Sequence, residues 1–327
     1  MRELDSMTLM MLEDNEFIVK TEFEHEERVI DKHKDGDLVY VLRTKKVIPG
    51  KPKKPHPKKE DYAKKQFLKT WLSDGYIDEL TDDHCLIFNK FAECDRHLLV
   101  ITKRQENQTN PLNVSDFKAA LLVQKALNAF LFFNCGFESG GSMNHKHIQL
   151  MPYSILGGSD LTPLEQIAIN YCRTSGTEDR MFTIPQFSYF KHVFLKLDRD
   201  FYNFDFESVL DMKAEVLVKH YHACHEFLGN AELRKYQAYN LVLTKNFLFV
   251  ALRTTDSFHA EGKTIAIGGK AFVGVPIANN EVQRQLFKSK GLIRILNQIC
   301  VPAVNTKEET LNVARPKLRR TFTLDKV

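Results

Sequence analysis

The chain has 327 residues, of which 43% are hydrophobic and 27% charged, and its formal net charge is +4. This composition is typical of globular proteins, so a fibrous or wholly disordered chain is excluded. No apolar run approaches the roughly 18 residues that a membrane-spanning helix needs, and the acidic amino-terminal stretch does not fit a secretion signal. The small net charge also argues against a nucleic-acid binder.

The six cysteines are scattered along the chain, and no two of them form a Cys-x-x-Cys pair. Disulfide frameworks and common zinc motifs place their cysteines in closer groups. We therefore expect free cysteines and a cytoplasmic protein.

In the first half of the chain, hydrophobic patterning predicts a mixture of strands and helices. Residues 44–65 are rich in Lys and Pro, which predicts an exposed basic loop rather than a helix. The other predicted elements are helices in residues 2–27, a strand at 38–42, paired strands at 85–88 and 97–101, a helix over 113–133 with Ser115 as its N-cap, and a strand over 145–153.

The second half repeats this style without a repeated sequence. The predicted elements are strands at 190–197, 239–244 and 247–252, and helices over 207–228 and 282–300. Antiparallel strand pairs without regular βαβ alternation predict an α+β fold. We expect one catalytic unit over residues 1–303, with its core at about 35–155, a carboxy-terminal half at about 185–303, and a loose basic tail at 304–327.

The stretch that carries chemistry is residues 133–153, which read FNCGFESGGSMNHKHIQLMPY. Side chains of a strand alternate between its two faces, so His145, His147 and Gln149 are predicted to line one face. Three polar side chains in a row on an otherwise apolar strand indicate that this face borders a site.

A loop rich in Gly and Ser precedes these residues. Gly140 and Gly141 permit positive φ and a close approach of backbone N–H groups to an anion, and Ser142 adds a hydroxyl donor. The loop and the strand together predict a phosphate cradle beside two imidazoles and an amide.

Zinc binding by His145 and His147 is the alternative interpretation of this segment. No Cys, Asp or Glu stands at a fitting close spacing, and the intervening Lys146 would repel a cation. We therefore expect no metal site here.

The motif His-Lys-His-Ile-Gln, preceded by Asn-Cys-Gly-x-x-Ser-Gly-x-Ser, resembles the transferase branch of the histidine-triad superfamily, in which Gln takes the third triad position. Within that branch the chain is most similar to the fungal-type diadenosine tetraphosphate (Ap4A) phosphorylases, also called ATP adenylyltransferases. The resemblance spans residues 35–303 in patches and is specific at 133–153. It implies a histidine-triad-like antiparallel sheet with flanking helices, elaborated by the carboxy-terminal half.

The resemblance also implies phosphorolysis of Ap4A to ATP and ADP through a covalent nucleotidyl-histidine. His147 matches the nucleophile that attacks the α-phosphorus, and inorganic phosphate then attacks the intermediate. His145 matches the first triad position. Gln149 cannot exchange a proton at neutral pH, but its amide can donate to a phosphate oxygen, so Gln favours transfer to phosphate over hydrolysis. The implied partners are Ap4A, ATP, ADP and inorganic phosphate, with Mg²⁺ possible on the polyphosphate and no covalent cofactor.

Binding roles follow from the same resemblance, position by position. The family's phosphate-binding stretch matches Asn134, Ser139, Gly140, Gly141 and Ser142. Met143 and Asn144 stand where the family more often has other polar residues, so the contacts that Met143 makes to the substrate are open.

Further binding roles fall on other segments. Asn89 and Lys90 match an Asn-Lys substrate contact, for which a simple Asn-capped turn is the alternative. Asn240 and Thr244 share a strand face and are expected to complete the second nucleotide site. The family's binding lysine is matched by Lys51 or Lys54 of the basic loop, and either could instead belong to a solvated charge run.

Two other functions are compatible with the motif. A nucleotide-sugar phosphorylase or uridylyltransferase uses a similar His-x-His-x-Gln strand, although those enzymes usually have Pro where Lys146 stands. A non-catalytic nucleotide-binding sensor would keep the fold without the chemistry. We expect a monomer or a homodimer, because the second half can supply internally an interface that small histidine-triad proteins form between subunits.

Overall fold

The computed structural model describes residues 18–47, 58–62, 74–202, 207–230 and 238–303. The strands are β1 (Phe23–Asp31), β2 (Leu38–Lys45), β3 (Tyr76–Glu79), β4 (His84–Phe88), β5 (Leu98–Thr102), β6 (Ala129–Cys135), β7 (His147–Pro152), β8 (Met181–Phe182), β9 (His192–Lys196), β10 (Tyr239–Leu243), β11 (Phe247–Leu252), β12 (Ser257–Ala260), β13 (Lys263–Ala266) and β14 (Ile277–Ala278). The α-helices are α1 (Lys59–Tyr62), α2 (Val114–Leu127), α3 (Pro163–Ser175), α4 (Glu207–Phe227), α5 (Gly269–Val273), α6 (Glu281–Lys290) and α7 (Leu292–Ile299).

Strands from both halves of the chain form one nine-stranded sheet, in the order β3-β4-β5-β7-β6-β10-β11-β9-β8. Every neighbouring pair in this sheet is antiparallel, which confirms the predicted α+β class. The two halves meet where β6 pairs with β10, and this pairing places Asn134 opposite Asn240. A smaller sheet is formed by β1, β2 and β14, and β12 and β13 form a hairpin.

The large sheet separates two hydrophobic clusters. Side chains alternate along β6, so Leu131 and Phe133 join the cluster that includes α2 and α4, whereas Phe130 and Phe132 join the cluster on the opposite face. Asn134 continues the series of Phe130 and Phe132. It therefore lies on the face that is not covered by α2 and α4, and the candidate site is on this face.

Most of the predicted elements are present. The structure confirms the strands at 38–42, 85–88, 97–101, 190–197, 239–244 and 247–252 and the long helix over 207–228, with small shifts at their ends. These segments have either a clear strand-length apolar run or a sustained helical period, which explains why patterning located them.

The helix predicted over 113–133 is wrong beyond Leu127. Asn113 rather than Ser115 caps it, because the Asn113 side chain accepts from the Asp116 N–H while the Asp116 carboxylate accepts from the Asn113 N–H. Asn128 then adopts a left-handed conformation with φ 48°, and the chain turns directly into β6. A short apolar run fits a buried strand and a helix equally well, so the sequence alone did not reveal this break.

Three other predictions need correction. Residues 23–27 belong to β1 rather than to a helix, and residues 2–17 lie outside the described ranges. The helix over 282–300 is two helices, α6 and α7, because Gly291 has φ 77° and interrupts the helical path. The strand over 145–153 begins only at His147.

Most of the basic loop at 44–65 is not among the described residues, and this part includes Lys51 and Lys54. Its described ends belong to β2 and to the short helix α1, so a loop is not the structure throughout. The tail at 304–327 also lies outside the described residues. Within the described part of the chain, no helix has the length and apolar character that crossing a membrane requires.

Candidate active site

The His147 ring is held by the backbone two residues before it. Its Nδ1 atom lies 2.7 Å from the carbonyl oxygen of His145. A carbonyl oxygen can only accept, so Nδ1 carries the ring proton and Nε2 of the neutral ring keeps a lone pair. The imidazole is therefore oriented and set in the tautomer that a nucleophile requires.

Gln108 ties the nucleophile's strand in place, and sequence reasoning did not identify it. Its Oε1 accepts from the backbone N–H of His147 at 2.8 Å. Its Nε2 donates to the carbonyl oxygens of His147 at 3.1 Å and Asn134 at 3.0 Å. Gln108 is fully buried in a loop without periodic patterning, so a single Gln there gives no sequence signal.

His145 does not belong to the strand, which corrects the prediction that it lines one strand face with His147 and Gln149. Its Nε2 donates to the carbonyl oxygen of Thr102 at 2.8 Å. Burial lowers the pKa of His145, although the hydrogen bond to Thr102 acts in the opposite direction. His145 therefore supports the site through its backbone carbonyl, while its ring braces the start of β7.

Gln149 lies on the same face of β7 as His147 and contacts His97. The backbone N–H of Glu93 donates to His97 Nδ1 at 3.3 Å, so His97 carries its proton on Nε2. That Nε2 donates to Gln149 Oε1 at 3.1 Å. Because His97 Nε2 donates to Gln149 Oε1, the amide oxygen of Gln149 is turned toward His97. Its amide nitrogen can then donate to a ligand in the cleft that Gln149 lines.

The Gly/Ser loop requires its glycines. Gly140 has φ 83°, and a Cβ atom there would lie 2.6 Å from the carbonyl oxygen of Ile267. A Cβ atom on Gly141 would lie 2.6 Å from the carbonyl oxygen of Gly136. Ser139 is fully buried, and its hydroxyl donates to the same Gly136 oxygen at 2.8 Å. Ser139 therefore shapes the loop from inside.

A cleft of about 480 Å³ opens along this face of the sheet. It brings together several of the predicted residues. The predicted residues that line it are Asn134, Gly140, Gly141, Ser142 and Gln149. Segments that the sequence did not single out complete the lining, including Lys45, Lys46, Glu93 and residues 266–271.

Two lysines in the cleft share one carboxylate. Lys270 forms an ion pair with Glu93, and Lys45 Nζ lies 3.6 Å from Glu93 Oε1. The Glu93 side chain is only 7% exposed. The two ammonium groups bring positive charge to this point of the cleft, which suits a polyanionic ligand.

An apolar cluster on β4 and β5 lies next to His147 on the same face of the sheet. Its members are the buried side chains of Cys85, Ile87, Leu99 and Ile101, against which the half-buried Met143 packs. Ile101 and Leu99 are the cross-strand partners of His147 and Gln149, so the cluster and the two polar side chains share one face. Met143 thus belongs to an apolar surface next to the polar residues.

Lys146 points away from the site, to the opposite face of the sheet. Its Nζ lies 2.5 Å from Asp116 Oδ2, and His84 Nε2 lies 2.9 Å from Asp116 Oδ1. Burial raises the pKa of Asp116, but the hydrogen bond from His84 and the charge of Lys146 outweigh it and hold that pKa below its usual value. The buried ion pair therefore fixes the chain between His145 and His147.

Other predicted binding residues are not brought to the cleft. Asn240 is fully buried behind Asn134, and Thr244 is fully buried in the turn between β10 and β11, where its hydroxyl accepts from the Phe247 N–H at 3.1 Å. Asn89 is buried against His97, and the Lys90 carbonyl accepts from the Val19 N–H at 2.7 Å. Within the described ranges, no group of three or more His, Cys, Asp or Glu is arranged to hold a metal ion.

This sheet, with a tautomer-fixed histidine, a Gln two residues later and a Gly/Ser loop, defines a histidine-triad-type protein. Residues 17–170 match the family model described as the Ap4A phosphorylase N-terminal domain. Residues 187–302 match the model described as the ATP adenylyltransferase C-terminal domain. The chain belongs to the Ap4A phosphorylase and ATP adenylyltransferase family, as the motif predicted.

Two curated yeast proteins are similar to parts of the chain. Protein APA1 of Saccharomyces cerevisiae is 26% identical over 207 residues, which are 60% of this chain and 61% of the relative. Diadenosine 5',5'''-P1,P4-tetraphosphate phosphorylase 2 of the same yeast is 32% identical over 80 residues, which are 21% of this chain and 25% of the relative. The matched part of the chain thus spans less than two thirds of the length of either relative.

Solved structures of yeast Ap4A phosphorylase Apa2 share the fold over a longer stretch. The complex of Apa2 with Ap4A has a TM-score of 0.62 at 19% identity, covering 92% of this chain and 98% of that chain. The complex with AMP has the same TM-score and identity and covers 90% of this chain and 95% of that chain. The shared fold agrees with the histidine-triad-like sheet that the sequence predicted.

Proposed function

We propose that this protein is an Ap4A phosphorylase, which converts Ap4A and inorganic phosphate to ATP and ADP through a nucleotidyl intermediate on His147. The observation that carries the proposal is the hydrogen bond between His147 Nδ1 and the His145 carbonyl, which leaves Nε2 as the nucleophilic atom. Membership of the family supports the substrate, and the adjoining Gly/Ser loop supports phosphate binding.

The first step transfers AMP to the protein. Nε2 of His147 attacks the α-phosphorus of Ap4A, a nitrogen–phosphorus bond forms, and the bond from that phosphorus to the bridging oxygen breaks. ATP leaves with the electron pair. The proton on Nδ1 stays in the hydrogen bond to the His145 carbonyl, which stabilises the positive charge that the ring acquires.

The second step regenerates the nucleophile. An oxygen of inorganic phosphate attacks the same phosphorus, the nitrogen–phosphorus bond breaks, and ADP forms. In both steps the Gln149 amide donates to a non-bridging oxygen on which charge develops. A polyphosphate is a good leaving group that needs little protonation, so a Gln in this position does not limit the transfer.

Two groups of side chains, one beside His147 and one in the lining of the cleft, fit the two ends of such a substrate. The half-buried Met143, which packs on the apolar cluster beside His147, offers an apolar contact for a base. The Lys45 and Lys270 pair offers positive charge for the phosphates that leave as ATP. Lys51 or Lys54 from the basic loop remains our candidate for a further phosphate contact.

Three further features go with this proposal. Mg²⁺ is carried by the polyphosphate, because it neutralises phosphate charge while keeping most of its waters. The protein is a monomer or a homodimer, and the β6 and β10 pairing, which joins the two halves within one chain, favours the monomer. It acts in the cytoplasm, where the six free cysteines would stay reduced.

A product assay tests the reaction class. The purified chain is incubated with Ap4A with and without inorganic phosphate, and the nucleotides are separated by chromatography. Phosphorolysis gives equal amounts of ATP and ADP only when phosphate is present. Phosphate-independent formation of AMP and ATP would identify a hydrolase, and turnover of UDP-glucose but not Ap4A would identify a nucleotide-sugar enzyme. Binding without turnover would leave a sensor.

A further inference from the structure

Arg253 is a buried arginine at the end of β11 that is not part of the cleft lining. It is 1% exposed, and burial lowers its pKa to about 10, so it remains charged at neutral pH. Its hydrogen-bond acceptors are neutral oxygens. They are Asn240 Oδ1 (2.5 Å) and the carbonyl oxygens of Thr255 (2.7 Å), Ile267 (2.9 Å), Ile299 (3.2 Å) and Ser139 (3.3 Å).

The guanidinium fixes the orientation of two side-chain amides in series. A guanidinium can only donate, so the oxygen of Asn240 must face Arg253 and its Nδ2 must face away. Asn240 Nδ2 then donates to Asn134 Oδ1 at 2.8 Å, and the Gly269 N–H donates to the same oxygen at 2.9 Å. Because Asn134 Oδ1 faces Asn240 and Gly269, Asn134 Nδ2 faces the cleft that Asn134 lines.

The same guanidinium joins the two glycine segments at the edge of the cleft. It holds the carbonyl oxygen of Ser139, which precedes Gly140, and that of Ile267, which precedes Gly268. These segments pack closely, because a Cβ atom on Gly140 would lie 2.9 Å from the Gly268 Cα. Arg253 thus lies behind both loops and behind Asn134.

We propose that Arg253 is a positioning residue for phosphate binding: through Asn240 it turns the N–H groups of Asn134 toward a nucleotide phosphate. The proposal rests on the proposed function, in which this cleft binds the phosphates of a nucleotide. The positive charge of Arg253 also polarises the amides of Asn240 and Asn134 in turn. In a low-dielectric surrounding this strengthens Asn134 Nδ2 as a donor. The ligand itself touches Asn134 and the glycine loops.

Asn240→Asp is the variant that tests this series of hydrogen bonds from Arg253 through Asn240 to Asn134. The new carboxylate keeps the shape of the side chain and pairs with Arg253, so the fold is retained. It has no donor for Asn134 Oδ1 or for the Ser139 carbonyl, so Asn134 keeps only the hydrogen bond from the Gly269 N–H and is repelled by the new carboxylate. The Asn134 N–H groups are then no longer held toward the phosphate, and we expect about 10- to 100-fold weaker binding of AMP, measured by calorimetry.

The matched control is Asn170→Asp on the exposed face of α3, where the Asn170 side-chain oxygen accepts from Arg173. It changes the net charge by the same amount and should bind AMP as the wild type does. Melting temperatures of both variants are recorded in parallel.

A double-mutant cycle separates positioning from general damage. In an Asn134→Ala background the amide is absent, so Asn240→Asp should weaken AMP binding less than twofold further. An equal loss in both backgrounds, or no loss in the wild-type background, would overturn the proposal. If Asn240→Asp does not fold, Arg253→Lys is used in the same cycle, because one ammonium cannot reach all the acceptors of the guanidinium.

The readout is nucleotide affinity and not turnover, so the outcome is independent of the proposed reaction. A wild type that binds AMP but does not phosphorolyse Ap4A would refute the proposed function and still permit the cycle. A wild type that phosphorolyses Ap4A while the cycle shows additive losses would refute only the role of Arg253.

Discussion

The Nδ1 atom of His147 lies 2.7 Å from the carbonyl oxygen of His145, so two residues of one motif determine which ring nitrogen carries the proton and which keeps its lone pair. The sequence suggested that both histidines act through their side chains. In the structure the His145 ring is bonded to Thr102 instead, and its backbone is what orients the nucleophile. The two-residue spacing is therefore needed because it brings the His145 carbonyl within hydrogen-bond distance of the His147 ring.

Gln108 should be needed for catalysis although it does not touch the substrate. Gln108→Leu removes the hydrogen bonds that hold His147 and the adjoining strand, so the nucleophile loses its position. We expect kcat to fall about 10- to 100-fold with little change in KM, measured by steady-state phosphorolysis.

Gln124→Leu is the matched control for that variant. Gln124 is also a buried Gln with backbone and hydroxyl partners, but these are Leu243 and Tyr202, away from the site. Both substitutions should destabilise the fold by about 1–3 kcal/mol. If Gln124→Leu lowers kcat as much as Gln108→Leu does, the loss is one of stability and the positioning role of Gln108 is wrong.

Gln149 should direct the intermediate toward phosphate. Gln149→His replaces the amide donor by an imidazole that can activate water, so we expect roughly a tenfold or greater drop in the rate of phosphorolysis and some formation of AMP. Product ratios at several phosphate concentrations measure the change. Unaltered phosphorolysis in this variant would count against a role for the Gln amide.

Lys270 should contribute to the affinity for the polyphosphate. Lys270→Met removes one of the two ammonium groups paired with Glu93, which lowers the positive charge in the cleft. We expect KM for Ap4A to rise several-fold and the difference from wild type to shrink at high salt. Lys290→Met, which breaks a comparable ion pair with Glu261 outside the cleft, should leave KM unchanged, and equal effects of both would disprove the assignment.

His225 should make the fold sensitive to acid. Burial between Tyr221 and Tyr239 lowers its pKa from 6.5 to about 4, so the unfolded chain binds a proton that the folded chain does not. The stabilisation is complete above pH 6.5 and is lost as the pH falls toward 4. From pH 7 to pH 5 this loss amounts to about 2 kcal/mol of unfolding free energy.

Urea unfolding at several pH values measures that loss. His225→Phe keeps an aromatic ring at the site and should reduce the loss between pH 7 and pH 5 by this contribution, while His192 and His220, whose pKa values burial also lowers to about 4, keep theirs. His259→Phe alters an exposed histidine on β12 and should leave the profile as it is in the wild type. Identical profiles for the wild type and His225→Phe would show that His225 does not titrate as expected.

The sequence predicted those parts of the fold and site that depend on local patterns. Alternation located Gln149 and His147 on one strand face, and the Gly/Ser composition located the loop that approaches the cleft. Membership of the family agrees with that interpretation.

Residues that act from a distance gave no such signal. Gln108 and Arg253 are single polar residues in segments without a motif. Only the folded chain brings Gln108 to Asn134 and His147, and Arg253 to Asn240. The break after α2 was missed because it depends on the left-handed conformation of Asn128, which an apolar sequence that fits both periods does not reveal.

Intact-protein mass spectrometry tests the central claim most directly. The wild type and His147→Ala are exposed briefly to Ap4A without inorganic phosphate. We expect one added AMP mass on the wild type, its disappearance with release of ADP when phosphate is added, and no adduct on His147→Ala. An adduct that persists in His147→Ala would place the nucleophile elsewhere, and turnover of Ap4A with no adduct on the wild type would contradict the covalent mechanism.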